Sequence, residues 1–207
     1  MNIDNTINDF IELCHYIHGK GYVSGSGGNI SIRVGDKFII TPSGKSLGHI
    51  KKEDIIFLNS DRTFIGTGIP SKECAMHLSC YNARPDVNAI IHVHSIYSVA
   101  VSCLDSLSYN CAMPVYTPGY AIRVNELPVI PYFKPGSEEL AKEVTQIITS
   151  RNSVMMANHG ILAVGTSIEQ AINIIEEIEE NAQLYFLLCD KGHPITPQQI
   201  KEVCPKP

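Results

Sequence analysis

The stretch Ala89-Ile-Ile-His-Val-His94 sets two histidines at alternate positions of an otherwise apolar segment. Side chains two residues apart on a β-strand point to the same face of a sheet, so we expect His92 and His94 to project their imidazoles together. Such a pair is a weak metal signal when it stands alone, because packed or solvated histidines produce the same pattern. The stretch therefore predicts a buried strand and raises the question of further ligands.

Two candidate partners lie far from this strand in the sequence. Glu73 follows a loop and opens a helical stretch, and His159 follows the apolar run Ser153–Met156. Three imidazoles and a carboxylate suit Zn²⁺ or a similar divalent ion, but the sequence alone leaves open whether these segments meet in space. His77 lies about one helical turn after Glu73 and is a rival ligand, although we favour a supporting or core position for it.

The composition is that of a globular protein and not of a disordered chain. The 207 residues are 44% hydrophobic and 18% charged, which fits a single domain over residues 1–207 with a substantial core. A net charge of −5 without a run of basic residues argues against a nucleic-acid partner. An anionic substrate would need a local binding site, since no global positive field gathers it.

The sequence carries no targeting or membrane signal. No apolar stretch approaches the roughly 20 residues that span a bilayer, and residues 1–6 lack the basic and apolar pattern of a signal peptide. The seven cysteines are scattered and form no Cys-x-x-Cys pair, as expected for reduced thiols. We therefore expect a cytoplasmic protein with no membrane partner.

Periodicity predicts a mixture of helices and short strands. The clearest helix starts at the capping box Ser167-Ile-Glu-Gln170 and runs, as the last helix, to Gly192. Prolines in residues 114–135 favour loops and edge strands there instead of a regular helix. The other predicted helices cover residues 4–18, 71–82, 95–104 and 137–150, and the other strands cover 29–33, 37–41, 55–58 and a segment ending at 158. This mixture favours an α/β/α sandwich.

A glycine-rich segment, Ser24-Gly-Ser-Gly-Gly-Asn-Ile-Ser31, separates the first helix from the first strand. Glycines let backbone N–H groups approach an anion, but the segment lacks the Gly-Lys-Ser/Thr ending of a Walker loop. It is not a dinucleotide fingerprint either, because Asn29 begins a strand and not a helix. The residues alone favour a simple turn, with an anion site as the alternative.

Five blocks of the sequence, taken together and in order, resemble the class II aldolase/adducin family over nearly the whole chain. The blocks are Ser24–Ser31, Thr41–Gly44, Pro70–Glu73, His92–His94 and Asn158–Gly160. The resemblance implies a three-layer α/β/α sandwich with a largely antiparallel central sheet, and a homotetramer whose sites lie at subunit contacts. It also implies one Zn²⁺ per subunit, with Mn²⁺ or Co²⁺ as alternatives.

The resemblance assigns a role to each candidate site residue. The implied metal ligands are Glu73, His92, His94 and His159. Glu73 is also the implied general acid/base, because a carboxylate beside a metal can move a proton. The implied ligands of a substrate phosphate are Ser26, Gly28, Asn29, Ser43, Gly44 and Ser71. Lys45 and Lys72 are nearby cations that would either strengthen such a site or lie in solvent.

A closer resemblance within the family is to the 3-oxo-tetronate 4-phosphate decarboxylases. It rests on Thr41–Gly48, His94–Leu104 and Pro128–Gly136. It implies decarboxylation of a phosphorylated sugar acid to dihydroxyacetone phosphate and CO2, through an ene-diolate that the metal stabilises. The alternatives are a sugar-phosphate aldolase of the fuculose-phosphate type, a ribulose-phosphate 4-epimerase and a non-catalytic adducin-like module. The four candidate metal ligands argue against the last of these.

The decarboxylase hypothesis needs a group that holds the substrate carboxylate. Lys72 and Arg123 are the two candidates, and a surface or intersubunit ion pair is an equal alternative for Arg123. The sequence ends at Lys201–Pro207 without the longer tail that carries a catalytic tyrosine in fuculose-phosphate aldolases. We therefore expect a decarboxylase more than an aldolase.

Overall fold

Eight strands build the centre of the molecule in the computed structural model, which describes residues 3–189 and 191–204. The strands are β1 (Asn29–Val34), β2 (Lys37–Ile40), β3 (Ile56–Leu58), β4 (Phe64–Ile65), β5 (Ala89–Val93), β6 (Val129–Ile130), β7 (Ser153–Met156) and β8 (Gly160–Gly165). They form one sheet in the order β4-β3-β2-β1-β5-β8-β7-β6. The β6–β7 pair is parallel and every other neighbouring pair in this sheet is antiparallel, so the prediction of a largely antiparallel sheet is confirmed.

Seven α-helices cover the two faces of this sheet within the described part of the chain. They are α1 (Ile3–Gly19), α2 (Cys74–Ala83), α3 (Ile96–Ser102), α4 (Pro118–Arg123), α5 (Glu138–Ile148), α6 (Ile168–Leu188) and α7 (Pro197–Val203). Helices α1, α3, α4 and α6 contribute to one buried apolar cluster, and α2 and α5 contribute to a second. The arrangement is the predicted three-layer α/β/α sandwich.

Strand β5 shows how the sequence sorts side chains between the two layers. Ala89, Ile91 and Val93 belong to the cluster that contains α1 and α6, whereas Ile90 belongs to the cluster that contains α2 and α5. His92 follows Ile90 by two residues and therefore faces the α2 side of the sheet. All five residues of the strand are buried, because helices cover both faces of the sheet and β1 and β8 pair with the two edges of the strand.

Three helix predictions differ from the structure. The segment predicted to hold only loops and edge strands contains α4, which begins because the Thr117 side chain accepts a hydrogen bond from the Tyr120 N–H and Pro118 occupies the first turn. Helix α6 ends at Leu188, before the predicted Gly192, because Cys189 adopts a left-handed φ of 45°. It is not the last helix, since α7 follows from a capping box at Thr196.

Two further boundaries are corrected. Helix α2 begins at Cys74 and not near Ser71, because Glu73 has the non-helical dihedrals φ −96° and ψ 14°. Strand β8, which directly follows His159, is an element that the sequence prediction omitted. Asp190 and Pro205–Pro207, which carry part of the expectations for the C-terminal segment, lie outside the described residues. No helix in the described ranges is both long enough and apolar enough to cross a membrane.

Candidate metal centre and active site

His92 and His94 lie at the end of β5 with their imidazoles together. Their Nε2 atoms are 2.9 Å apart. The Nδ1 atom of His92 lies 2.9 Å from the carbonyl oxygen of Ile161 on β8, and only a protonated Nδ1 can donate to that carbonyl. A neutral His92 therefore turns an unprotonated Nε2 toward His94, which is the tautomer that a metal ligand requires.

His159 reaches the same point from the turn between β7 and β8. Asn158 has a left-handed φ of 55°, and this turn sets His159 between the end of β7 and the start of β8. One ligand nitrogen from each of the three histidines lies within 4.8 Å of the others. The structure thus brings together three residues that the sequence separates by up to 67 positions, the difference between 92 and 159.

Glu73 completes the group from the residue immediately before α2. Its Oε2 atom lies 3.2 Å from His92 Nε2 and accepts a 2.8 Å hydrogen bond from Asn29 Nδ2, while its Oε1 atom lies 3.6 Å from His159 Nε2. The Glu73 carboxylate is buried. Burial by itself raises the pKa of this carboxyl group, but the charge and hydrogen bond of His92, together with Asn29, reverse the effect and hold the pKa far below its usual range.

The histidines respond to burial and to one another. Burial lowers the pKa of His94 to about 3 and that of His159 to about 4, and the neighbouring His92 adds to both shifts. Burial also acts to lower the pKa of His92, but the Glu73 carboxylate and the Ile161 carbonyl outweigh it, so this pKa is raised overall. Of the three imidazoles, His92 therefore holds a proton most readily, and the Glu73 carboxylate beside it stabilises that charge.

The donor set fits a divalent metal ion. The buried oxygen Glu73 Oε1 and the buried nitrogen His159 Nδ1 have no hydrogen-bond partner among the described residues. A buried carboxylate oxygen without a partner carries a desolvation cost that a cation would remove. His77, the rival ligand, lies behind this group, with its Nε2 atom 2.6 Å from Asn29 Oδ1. Three imidazoles and one carboxylate thus remain as the candidate ligands.

A cavity of about 330 Å³ opens beside these ligands. All six residues predicted to bind phosphate line it, together with Lys72 and three of the four candidate ligands. The lining residues from these predictions are Ser26, Gly28, Asn29, Ser43, Gly44, Ser71, Lys72, Glu73, His94 and His159. Gly27, Pro42 and Pro135 also line the cavity, and although each lies within a quoted block of the sequence, no role was predicted for them.

The glycine-rich loop packs directly on the histidine strand. Gly28 has a φ of 70°, and a Cβ atom there would lie 2.6 Å from Val23 Cγ1 and 2.8 Å from the carbonyl oxygen of His92. A Cβ atom on Gly27 would lie 2.9 Å from His94 Nδ1. Only glycine allows this approach, so Gly27 and Gly28 bring backbone to the cavity wall, whereas the residues alone favoured a simple turn.

The three cations considered above occupy different places. Among the described residues that line the cavity, Lys72 is the one lysine or arginine. Lys45 forms a 2.5 Å ion pair with Asp54. Arg123 forms a 3.0 Å ion pair with Glu177 and is absent from the cavity lining. Within one chain the structure therefore does not bring Arg123 to the histidines, and a role for it stays a prediction that requires a neighbouring subunit.

Comparison with known proteins places this arrangement in a family. A profile of the class II aldolase and adducin N-terminal domain matches residues 8–186. The chain belongs to the class II aldolase and adducin family. The resemblance predicted from the five sequence blocks is thereby confirmed, and all of those blocks fall within the matched residues.

Relatives of this class II aldolase-family chain include two kinds of lyase. A 3-oxo-tetronate 4-phosphate decarboxylase from Haemophilus influenzae is 36% identical over 195 residues, which cover 93% of each chain. An L-fuculose phosphate aldolase from Methanococcus maripaludis is 38% identical over 182 residues, which cover 88% of this chain and 97% of the relative. The crystal structure of YgbL from Klebsiella pneumoniae matches with a TM-score of 0.93 and 31% identity, covering 98% of this chain and 99% of YgbL.

Proposed function

We propose that this protein is a metal-dependent carbon–carbon lyase that converts a 3-oxo-tetronate 4-phosphate into dihydroxyacetone phosphate and CO2. The observation that carries the proposal is the convergence of Glu73 and three histidines beside a cavity lined by neutral hydrogen-bond donors. The likeness to the Haemophilus influenzae decarboxylase over 93% of both chains favours decarboxylation among the reactions of the family.

The substrate is a β-keto acid with a hydroxyl group on C2, between the carboxylate and the C3 ketone. When the C1–C2 bond breaks, its electron pair enters an ene-diolate across C2 and C3, and CO2 leaves. Protonation at C2 then gives dihydroxyacetone phosphate, and one proton is taken up from solvent for each CO2 released. The protein has to stabilise the developing negative charge and deliver this proton.

Neutral donors and one cation in the cavity would hold the two ends of this substrate. The groups proposed to bind the phosphate are the side chains or backbone N–H groups of Ser26, Gly28, Asn29, Ser43, Gly44 and Ser71. Lys72 would hold the carboxylate, since it is the lysine in the lining while Arg123 is paired with Glu177. Holding the carboxylate out of the plane of the ketone aligns the breaking C1–C2 bond with the π orbital of the C3 carbonyl group.

Glu73 is proposed to move the proton. Its Oε2 atom is engaged by Asn29, and its Oε1 atom is buried without a hydrogen-bond partner among the described residues. In each turnover Oε1 would take up one proton from solvent and deliver it to C2 of the ene-diolate, which returns Glu73 to the carboxylate form that its lowered pKa favours. Exclusion of water from this buried position protects the ene-diolate from uncontrolled protonation.

Glu73, His92, His94 and His159 would hold one divalent ion, for which we propose Zn²⁺ because imidazole and carboxylate ligands suit it, as they also suit Mn²⁺ and Co²⁺. When bound, this ion supplies a Lewis-acidic positive charge at the ketone oxygen. The hydrogen bond between His92 Nδ1 and Ile161 keeps the imidazole oriented for that task.

The experiment that tests this function measures dihydroxyacetone phosphate release from 3-oxo-tetronate 4-phosphate, with and without a metal chelator. Fuculose 1-phosphate is assayed in parallel for aldehyde release, because both reactions yield dihydroxyacetone phosphate but only aldol cleavage yields an aldehyde. Chelator-sensitive product from the keto acid, with no aldehyde from the sugar phosphate, supports the decarboxylase. Aldehyde release alone contradicts it.

A class II sugar-phosphate aldolase is the second candidate function. The 38% identity to an L-fuculose phosphate aldolase over 88% of this chain favours it. The same ligands and phosphate groups would serve both reactions, so the candidates differ only in what holds a carboxylate or admits an aldehyde. A ribulose-phosphate 4-epimerase would also use this ligand set and is tested by following the interconversion of the two pentulose phosphates.

Assembly and compartment belong to the same proposal. We expect a cytoplasmic homotetramer with sites at subunit contacts. All seven cysteines are free thiols, as expected in a reducing compartment. Light scattering after size-exclusion chromatography measures the assembly, and a monomer at micromolar concentration would contradict this expectation.

A further inference from the structure

Behind Glu73 runs a buried line of polar side chains in which His77, Ser31 and Tyr81 have no part in the roles proposed so far. Asn29 Nδ2 lies 2.8 Å from Glu73 Oε2, and Asn29 Oδ1 lies 2.6 Å from His77 Nε2. His77 Nδ1 lies 2.7 Å from Ser31 Oγ, which lies 2.9 Å from the hydroxyl of Tyr81. All five side chains are buried, so each hydrogen bond is made away from water.

The line of hydrogen bonds forms because two residues of a strand advance by nearly the same distance as four residues of a helix. Asn29 and Ser31 are two residues apart on β1, a rise of about 6.8 Å. Glu73, His77 and Tyr81 recur at intervals of four along α2 and the residue before it, a rise of about 6.0 Å per interval. Side chains from the strand and the helix therefore alternate along one direction.

The hydrogen bonds have one consistent polarity. The amide oxygen of Asn29 would repel the Glu73 carboxylate, so the amide nitrogen faces the carboxylate and the oxygen is left to accept from His77. His77 Nε2 then carries the proton, and His77 Nδ1 accepts from the hydroxyl of Ser31. Because the hydroxyl hydrogen of Ser31 is donated to His77 Nδ1, the Ser31 oxygen accepts a hydrogen bond from the Tyr81 hydroxyl. Burial also lowers the pKa of His77 to about 3, which keeps its imidazole neutral.

The far end of the line is held by packing and by a hydrogen bond. The ring of Tyr81 stacks on Phe38 with the ring centroids 4.4 Å apart, and the Arg33 guanidinium lies 4.9 Å from the centre of the Tyr81 ring. Arg33 also donates to the backbone carbonyl of Tyr81 over 3.2 Å. A fixed donor at Tyr81 sets the orientation of each group that follows, as far as Asn29.

We propose that Tyr81, Ser31, His77 and Asn29 form a directional hydrogen-bond chain that pins Glu73 by Oε2 and leaves Oε1 as its working atom. The amide of Asn29 cannot relay a proton. The hydrogen-bond chain therefore positions the Glu73 carboxylate and does not conduct protons to it. His77 is accordingly a positioning residue. The proton-transfer part of this inference rests on the proposed function, whereas the positioning of the carboxylate can be measured without substrate.

The test compares two variants of similar side-chain volume. His77→Gln keeps a donor toward Asn29 and an acceptor toward Ser31, whereas His77→Leu keeps only the volume. Removing a group that orients a metal ligand costs about 10- to 100-fold in metal affinity or activity. We therefore expect His77→Leu to lose this much in zinc affinity, measured by competition titration of the metal-free protein, and in kcat, with KM unchanged. His77→Gln should retain most of both.

Equal behaviour of the two variants, both near wild type or both equally impaired, would overturn the proposal. Tyr81→Phe is the gentler second variant, because it deletes one hydroxyl group and keeps the stacked ring. It should lose zinc affinity in the same direction as His77→Leu but by a smaller factor, and an unchanged affinity would count against the chain.

The tautomer of His77 can be measured on the wild-type protein, so this test does not depend on whether a variant folds. Nitrogen-15 NMR of metal-free protein should show His77 as the neutral tautomer with its proton on Nε2, whereas a proton on Nδ1 would reverse the chain and overturn the proposal. Failure of the decarboxylase assay in the wild type would defeat the proposed function only. The tautomer and the zinc titrations would still decide on the chain.

Discussion

The Nε2 atoms of His92 and His94 face each other across 2.9 Å, while the Nδ1 atom of His92 is committed to the carbonyl of Ile161. Two unprotonated nitrogens at that separation repel unless a proton or a cation lies between them. Two nitrogens held about 2.0–2.1 Å from one tetrahedral zinc would be roughly 3.3 Å apart. The pair is therefore close to the geometry of shared metal binding and needs only a small opening.

Metal binding should stabilise the folded protein. At a free zinc concentration of about 1,000 times Kd, ligation adds about 4 kcal/mol to the free energy of unfolding, and each kcal/mol raises Tm by about 2–4 °C for a chain of this size. We expect a rise of roughly 10 °C in a thermal shift assay, reversed by a chelator. His159→Ala should lose most of this response. An identical Tm with zinc and with chelator would show that the histidines bind no metal.

Glu73→Gln should separate catalysis from binding. Glutamine keeps the size of the side chain but cannot accept and return a proton at Oε1. We expect kcat to fall by at least about 100-fold, the lower end of what a general acid/base contributes. With zinc in excess, so that the loss of one metal ligand does not limit occupancy, the affinity for the product dihydroxyacetone phosphate, measured by calorimetry, should change little. A variant that keeps near-normal kcat would remove Glu73 from the proton transfer.

Lys72→Met and Arg123→Ala distinguish the two candidates for the carboxylate. A lost charge-assisted contact costs about 1.5–3 kcal/mol, which is roughly 10- to 150-fold in kcat/KM. We expect this loss for Lys72→Met, because Lys72 lines the cavity, and a smaller one for Arg123→Ala, because Arg123 pairs with Glu177. Zinc affinity should be unchanged in both. The reverse order would move the role to an Arg123 from a neighbouring subunit.

Buried His77 should make the metal-free protein sensitive to acid. Its pKa is lowered by burial from 6.5 to about 3, so the unfolded chain takes up this proton first as the pH falls. The free energy of unfolding should therefore decrease between pH 6.5 and pH 3, with roughly 1 kcal/mol per pH unit from this group. Urea unfolding at several pH values should give a shallower dependence for His77→Gln. Equal slopes would mean that His77 titrates normally.

Gly28→Ala and Gly25→Ala test the approach of the glycine loop to β5. Both glycines have positive φ, 70° and 57°, but a Cβ atom at Gly25 would meet no atom within 4 Å, whereas at Gly28 it would meet Val23 and the His92 carbonyl. We expect Gly25→Ala to cost about 1–2 kcal/mol of stability from the left-handed backbone alone. Gly28→Ala should cost about 1–3 kcal/mol more from overpacking, measured by urea unfolding. Equal costs would contradict the close packing.

Local patterns account for the parts of the fold that could be predicted. Alternation over residues 89–94 identified β5, and the capping box at Ser167 identified the start of α6, because each signal is contained in a few neighbouring residues. Helix α4 was missed because a proline marks either a loop or a first helical turn, and the capping hydroxyl of Thr117 that decides between them was overlooked.

The functional site, like the fold, has a part that the sequence could predict and a part that it could not. The residues around the metal centre could be named because several motif blocks together resembled a family, although spacing could not join them. The pairing of Arg123 with Glu177 depends on α4 packing near α6, which no local pattern encodes. The link from Asn29 to His77 spans 48 positions and becomes visible only when β1 and α2 are seen side by side.

The most direct test of the central claim follows the carboxylate carbon itself. A 3-oxo-tetronate 4-phosphate labelled with carbon-13 at C1 is given to the metal-loaded enzyme and to the chelated enzyme, and the label is followed by NMR. The account predicts labelled CO2 or bicarbonate forming at the rate of dihydroxyacetone phosphate in the loaded enzyme, and none after chelation. Label that stays in the carboxylate while fuculose 1-phosphate is cleaved to an aldehyde would contradict it.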